Sequence, residues 1–121
     1  MFRKIFFSKI SRFLSVLEPP RASVSPPYGT VDIGESIEFQ CSVTGYPLPI
    51  ITWKRGNGKM LPRTATVDGS FLKLTDIQSE DEGDYVCTAS NKGGIVKRRG
   101  LLYVRGLNKL KKFFELPRAL L

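Results

Sequence analysis

Between residues 36 and 104 apolar positions recur every second residue, the period of a strand with one face buried. Ile37, Phe39, Cys41 and Val43 alternate with Ser36, Glu38, Gln40 and Ser42. Ile51 and Trp53 alternate with Thr52 and Lys54, and Leu72 and Leu74 with Lys73 and Thr75. Tyr85, Cys87 and Ala89 alternate with Val86, Thr88 and Ser90. In the last run, Leu102 and Val104 take the inward phase, which turns Lys97, Arg99, Leu101 and Tyr103 outward. Turn-forming clusters separate these runs at Gly45-Tyr46-Pro47, Gly56-Asn57-Gly58, Asp68-Gly69 and Lys92-Gly93-Gly94. Several short strands at this spacing predict an all-β sandwich or barrel.

The period changes at both ends. In residues 1–20, Phe2, Phe6, Ile10, Phe13 and Leu17 fall at helical spacing, with Arg3, Lys4, Lys9 and Arg12 filling the remaining face. That is a basic amphipathic pattern. Lys9 and Arg12 cut its apolar run into pieces too short for a secretory signal, so no convincing signal peptide is present. Pro19-Pro20 and Pro26-Pro27 bracket a short extended piece suited to an edge strand. Residues 106–121 repeat the amphipathic theme with Leu107, Leu110 and Phe114 beside Lys109, Lys111 and Lys112. The expected organisation is one β domain over residues 21–105 between two basic tails, 1–20 and 106–121. A chain of 121 residues has room for little more.

Charge and composition narrow the function. The net charge of +8 suggests a nucleic-acid binder until it is divided along the chain. Each tail carries +3, and the strand-rich middle only +2. No basic field of the kind that holds a phosphate backbone runs across the domain, so no nucleic acid is expected as partner. The chain contains no His, which removes the commonest general base and metal ligand and excludes any Ser-His-Asp arrangement. Two Cys are too few for a four-ligand zinc site. The acidic run Glu80, Asp81, Glu82 and Asp84 fits a solvated turn better than a calcium cage. The expectation is no enzyme, no cofactor and no metal.

Cys41 precedes Trp53 by twelve residues, and Cys87 follows 34 residues later. Both Cys take the inward phase, from strands expected in opposite sheets. A disulfide across the core with the indole packed against it is the expected arrangement, and two buried free thiols are the other one open. Tyr85 stands two residues before Cys87, where its phenol can reach back to upstream backbone. Gly83 gives freedom to the approach, and Asp81 is placed to pair with a base, for which Arg63 is the candidate.

Taken together, the motifs C-x11-W, L-x-L-x-x-I and D-x-G-x-Y-x-C-x-A-x-N are carried by Cys41, Trp53, Leu72, Leu74, Ile77, Asp81, Gly83, Tyr85, Cys87, Ala89 and Asn91. They resemble an immunoglobulin-like domain of the intermediate set. The run G-K-M-L-P, then D-G-S-F-L-K-L and E-D-E-G-D-Y-V-C-T-A-S-N, is similar to immunoglobulin modules of perlecan, the basement-membrane heparan sulfate proteoglycan. The resemblance implies a Greek-key sandwich with sheet orders A-B-E-D and A′-G-F-C, both antiparallel, stapled by Cys41–Cys87. It also implies a secreted, extracellular setting within a long chain of such modules. A lone module with two amphipathic ends departs from that pattern. It reads as a fragment, or as a gene prediction whose tails are not family sequence.

The expected role is non-catalytic adhesion, in protein–protein or protein–matrix contact. The candidate binding face consists of Lys54, Lys97, Arg99, Leu101 and Tyr103, mixing basic groups with the Arg and Tyr that interfaces favour. Its expected partners are other proteins or neighbouring modules, with acidic matrix glycans a further class. Two alternatives stand beside this. One is an intracellular, titin-like sarcomeric spacer in which the Cys pair stays reduced. The other is a small membrane-surface binder acting through the tails.

Overall fold

Inward and outward residues keep their alternation over residues 37–43, 51–54, 72–75 and 85–90 in the computed structural model, which describes residues 17–106. Eight strands form: β1 (Glu18–Ser25), β2 (Tyr28–Asp32), β3 (Ile37–Tyr46), β4 (Ile50–Arg55), β5 (Thr66–Asp68), β6 (Phe71–Leu74), β7 (Gly83–Asn91) and β8 (Gly94–Arg105). A 3-10 turn, Ser79–Asp81, precedes β7. The strands make two four-stranded sheets, β1-β3-β6-β5 and β2-β8-β7-β4, the order expected from the resemblance.

Two details differ from the expectation. The pairing of β2 with β8 is parallel, from Tyr28 opposite Leu101 to Asp32 opposite Arg105. The cause lies at Pro26-Pro27. There the N-terminal run leaves β3 and crosses to the other sheet without reversing direction, so its second half runs alongside β8. Strand β1 also begins at Glu18, upstream of residue 21. Pro19 and Pro20 have no N–H to give a ladder, and they sit where the β1–β3 register shifts between Glu18 and Arg21, on a sheet edge. The Asn91 side chain holds this start in place. Its Nδ2 donates to the carbonyls of Glu18 (2.7 Å) and Pro47 (2.9 Å), and its Oδ1 accepts from Gly93 N–H (2.7 Å). The amphipathic patterns of residues 1–16 and 107–121 lie outside the described residues.

The inward phase builds one core from both sheets: Phe39, Cys41, Leu72 and Leu74 meet Trp53, Tyr85, Cys87, Leu102 and Val104, with Ile77 closing it. Each large side chain in such a core contributes about 1.5–3 kcal/mol by leaving water. Cys41 and Cys87 are joined across it as a disulfide. Phe39 packs directly against the β8 backbone at Gly100, where an added Cβ would lie 2.7 Å from its ring. The core needs glycine at that position.

Candidate functional site

The Greek-key corner fixes the lower end of the second sheet. The Tyr85 hydroxyl donates to the Asp81 carbonyl at 2.6 Å, the backward reach expected of it. Gly83 lies between them at φ 141°, a conformation that L side chains rarely adopt. The Asp81 carboxylate does not pair with Arg63. It accepts from Gln78 N–H at 2.8 Å, and Arg55 reaches the backbone carbonyls on either side of it. Arg55 follows Trp53 in the inward phase and is 8% exposed. Its Nη1 donates to the Glu80 carbonyl (3.1 Å) and its Nη2 to the Glu82 carbonyl (2.8 Å). Its guanidinium lies 5.2 Å from the centre of the Tyr85 ring, within cation–π range. Arg63, on the connection after β4, is exposed. Three carboxylates of the acidic run serve the fold: beside that of Asp81, the Glu82 side chain accepts from Val104 N–H at 2.8 Å, and Asp84 binds Arg99.

Burial pushes the Tyr85 phenol from its ordinary 10.0 up to about 12, with Arg55 pulling it down and Asp81 pushing it further up. A folded-state pKa above the unfolded one means that the native state holds the proton longer. The stabilisation is therefore complete below about pH 10 and is lost as pH rises through about 12. Wild type should lose about 2–3 kcal/mol across that window beyond what Tyr85→Phe loses. Near pH 7 the Phe variant should be weaker by about 1 kcal/mol for the missing hydrogen bond. Urea titrations of both proteins at a series of pH values check this. Parallel losses in the two would remove Tyr85 as the source.

On the outer face of the second sheet, the register decides which predicted residues meet. Thr52 is opposite Thr88 and Thr88 opposite Lys97; Lys54 is opposite Val86 and Val86 opposite Arg99. Lys54 on β4 and Lys97 and Arg99 on β8 thus flank the β7 floor of Val86 and Thr88. They line a groove of about 340 Å³ with Asp84 and Arg98. Arg99 Nη1 lies 3.1 Å from Asp84 Oδ2, an exposed pair that adds little stability. Leu101 and Tyr103 share the outward phase but not the groove. Leu101 stands between Asp84 and Tyr28, and Tyr103 lies beyond the end of β7, opposite Thr30 on β2. They form a separate patch with Tyr28, which is 64% exposed. The predicted face is therefore two surfaces, one basic and one aromatic. Sequence reasoning missed Tyr28 in the second of them, because β2 gives no clear alternation.

The opposite sheet presents Arg21 and Lys73 outward against Glu38 and Asp68, all exposed. Its outer face is balanced, whereas the groove carries Lys54, Lys97, Arg98 and Arg99 against Asp84 alone.

A family model described as an immunoglobulin domain matches residues 19–91. The chain belongs to the immunoglobulin domain family. This immunoglobulin domain is 39% identical over 87 residues to the basement membrane-specific heparan sulfate proteoglycan core protein of Mus musculus, covering 72% of the chain and 2% of that relative. Among solved structures it resembles the full ectodomain (Ig1–Ig3) of mouse nectin-like molecule 4, with 34% identity, a TM-score of 0.65 and coverage of 74% of this chain and 31% of that one. It also resembles a chain of the titin M10–obscurin-like 1 Ig complex at 30% identity and a TM-score of 0.62, covering 74% and 97%. The immunoglobulin domain thus spans a small part of the length of its matrix relative.

Proposed function

We propose that this immunoglobulin domain is a non-catalytic binding module of an extracellular matrix or cell-surface protein. It makes a protein–protein or protein–matrix contact through the outer face of β4, β7 and β8. The observation that carries this reading is the convergence of Lys54, Lys97 and Arg99 on one sheet face, while the other sheet's outer face is balanced. Complementary charge of this kind selects partners and speeds encounter more than it adds affinity. The Cys41–Cys87 cross-link agrees with an oxidising compartment, where such bonds persist. Likeness to a basement-membrane core protein and to an ectodomain supports the same setting.

Two measurements test the reading. The full chain, labelled and layered on decellularised basement membrane, should be retained. Lys54→Glu/Lys97→Glu should lower retention at least about 10-fold at physiological salt while its unfolding midpoint stays unchanged. Equal retention of the two proteins would remove the face from the reading. In protein taken from its native source, Cys41 and Cys87 should become available to a thiol reagent only after reduction. Free thiols there would move the domain to a reducing compartment, as a spacer of the kind its likeness to the titin complex allows.

A further inference from the structure

The groove between Lys54 and the Lys97–Arg99 pair has the shape and charge of a track for a linear polyanion. We infer that it is a subsite for a sulfated glycosaminoglycan, its chain lying along β7. The inference rests on the binding face proposed above and names the ligand class of that face.

Shape comes first. The floor is a single strand, β7, bearing the short, half-buried Val86 and Thr88. The strands on either side lie one spacing away, so the Lys54 and Lys97–Arg99 rails stand about 10 Å apart. A rod one sugar chain wide fits between them with cations on both flanks. Charge then limits the ligand to an anion. Asp84 is the one carboxylate lining the groove among the described residues, and Arg99 holds it in an ion pair at one end. Lys54 and Lys97 make no ion pair among the described residues. Beside Lys97, Arg98 Nη1 donates to the Lys97 carbonyl, which fixes that guanidinium along the same rail. The lining also favours a glycan over an acidic protein. Hot spots of protein interfaces are Trp, Tyr and Arg side chains set in dry, well-packed pockets, and the groove has arginine but no aromatic ring among the described residues. Among the described residues Val86 is the only apolar side chain of the groove, and the aromatic patch of Tyr28 and Tyr103 lies outside it. A polar scaffold carrying repeated sulfates asks for no such pocket. It asks for cations on both sides and a hydroxyl such as that of Thr88.

The experiment uses the full chain and tests its basic tails separately, since they are the other cationic segments a polyanion could meet. Binding of a heparin hexasaccharide is titrated for wild type, for Lys54→Ala/Lys97→Ala, and for a tail variant with Lys4, Lys9, Lys109, Lys111 and Lys112 changed to Gln. The groove variant should bind about 30-fold more weakly, since each cation near an anionic surface changes affinity about 5-fold. The tail variant should stay within about 3-fold of wild type, and binding to wild type should weaken steeply with salt. Full affinity in the groove variant, or its loss in the tail variant, overturns the inference. Retention on matrix pretreated with heparinase and chondroitinase together separates this inference from the reading beneath it. The inference predicts that digestion abolishes groove-dependent retention. Retention that survives digestion yet still needs Lys54 and Lys97 would overturn the glycan and keep a protein-binding face. Retention indifferent to both would overturn the two together.

Discussion

Replacing Cys41 and Cys87 together by alanine should remove about 4 kcal/mol of unfolding free energy, the largest single effect expected in this domain. The two residues are 46 apart in sequence, and their bond ties β3 in one sheet to β7 in the other. Without it the unfolded chain regains the freedom of a loop of that length, worth about 4 kcal/mol in the chain-entropy model. The native side loses too. Both sulfurs are fully buried in the core cluster with Trp53, whose register partner on β7 is Cys87. A domain of this size has only about 5–15 kcal/mol in total, so the variant would stand near the threshold of folding. Urea titration followed on Trp53, the only tryptophan, measures the loss. A loss under about 1 kcal/mol would mean that the cross-link constrains little, and that the core alone holds the sheets together. That outcome would also weaken the case for an oxidising compartment, since the domain would then do nearly as well reduced.

What the sequence made legible follows from what a period of two encodes. Alternation assigns each side chain to a face, so Phe39, Cys41, Trp53, Leu72, Leu74, Tyr85, Cys87, Leu102 and Val104 were placed inward, and the structure buries them all. The position of Tyr85 relative to Cys87 likewise indicated the backward hydrogen bond to Asp81. Alternation carries no information on strand direction, and the parallel β2–β8 pairing went unseen for that reason. It also gives no register between strands. Lys97, Arg99, Leu101 and Tyr103 could be placed on one side of β8, but only pairing shows that the first two lie across β7 from β4 while the last two lie toward β2. Arg63 sits on a connection that has no period, and nothing local could say where it points. Arg55, by contrast, was within reach. It continues the inward phase of Ile51 and Trp53, and a buried arginine there has to find carbonyls or a carboxylate.

Those carbonyls make Arg55→Met the other large effect. Methionine keeps most of the length and apolar bulk, so the change isolates the guanidinium. Lost are two charge-assisted hydrogen bonds, to the Glu80 and Glu82 carbonyls, and the approach to the Tyr85 ring. Hydrogen bonds to charged groups contribute about 1.5–3 kcal/mol each. Two terms act the other way. The buried Arg55 Nε has no acceptor among the described residues, and deleting it relieves that cost. Glu80 and Glu82 are exposed, so water can reach part of what the guanidinium leaves. The net loss expected is about 3 kcal/mol, measured by urea unfolding. Arg55→Lys should recover less than half, because an ammonium lacks the planar fork that reaches two carbonyls at once. Arg63→Met should change stability by less than about 0.5 kcal/mol, as exposed substitutions usually do. If Arg63→Met cost more than Arg55→Met, the corner would be held by the loop cation. The buried fork beneath Tyr85 would then be a consequence of packing rather than one of its supports.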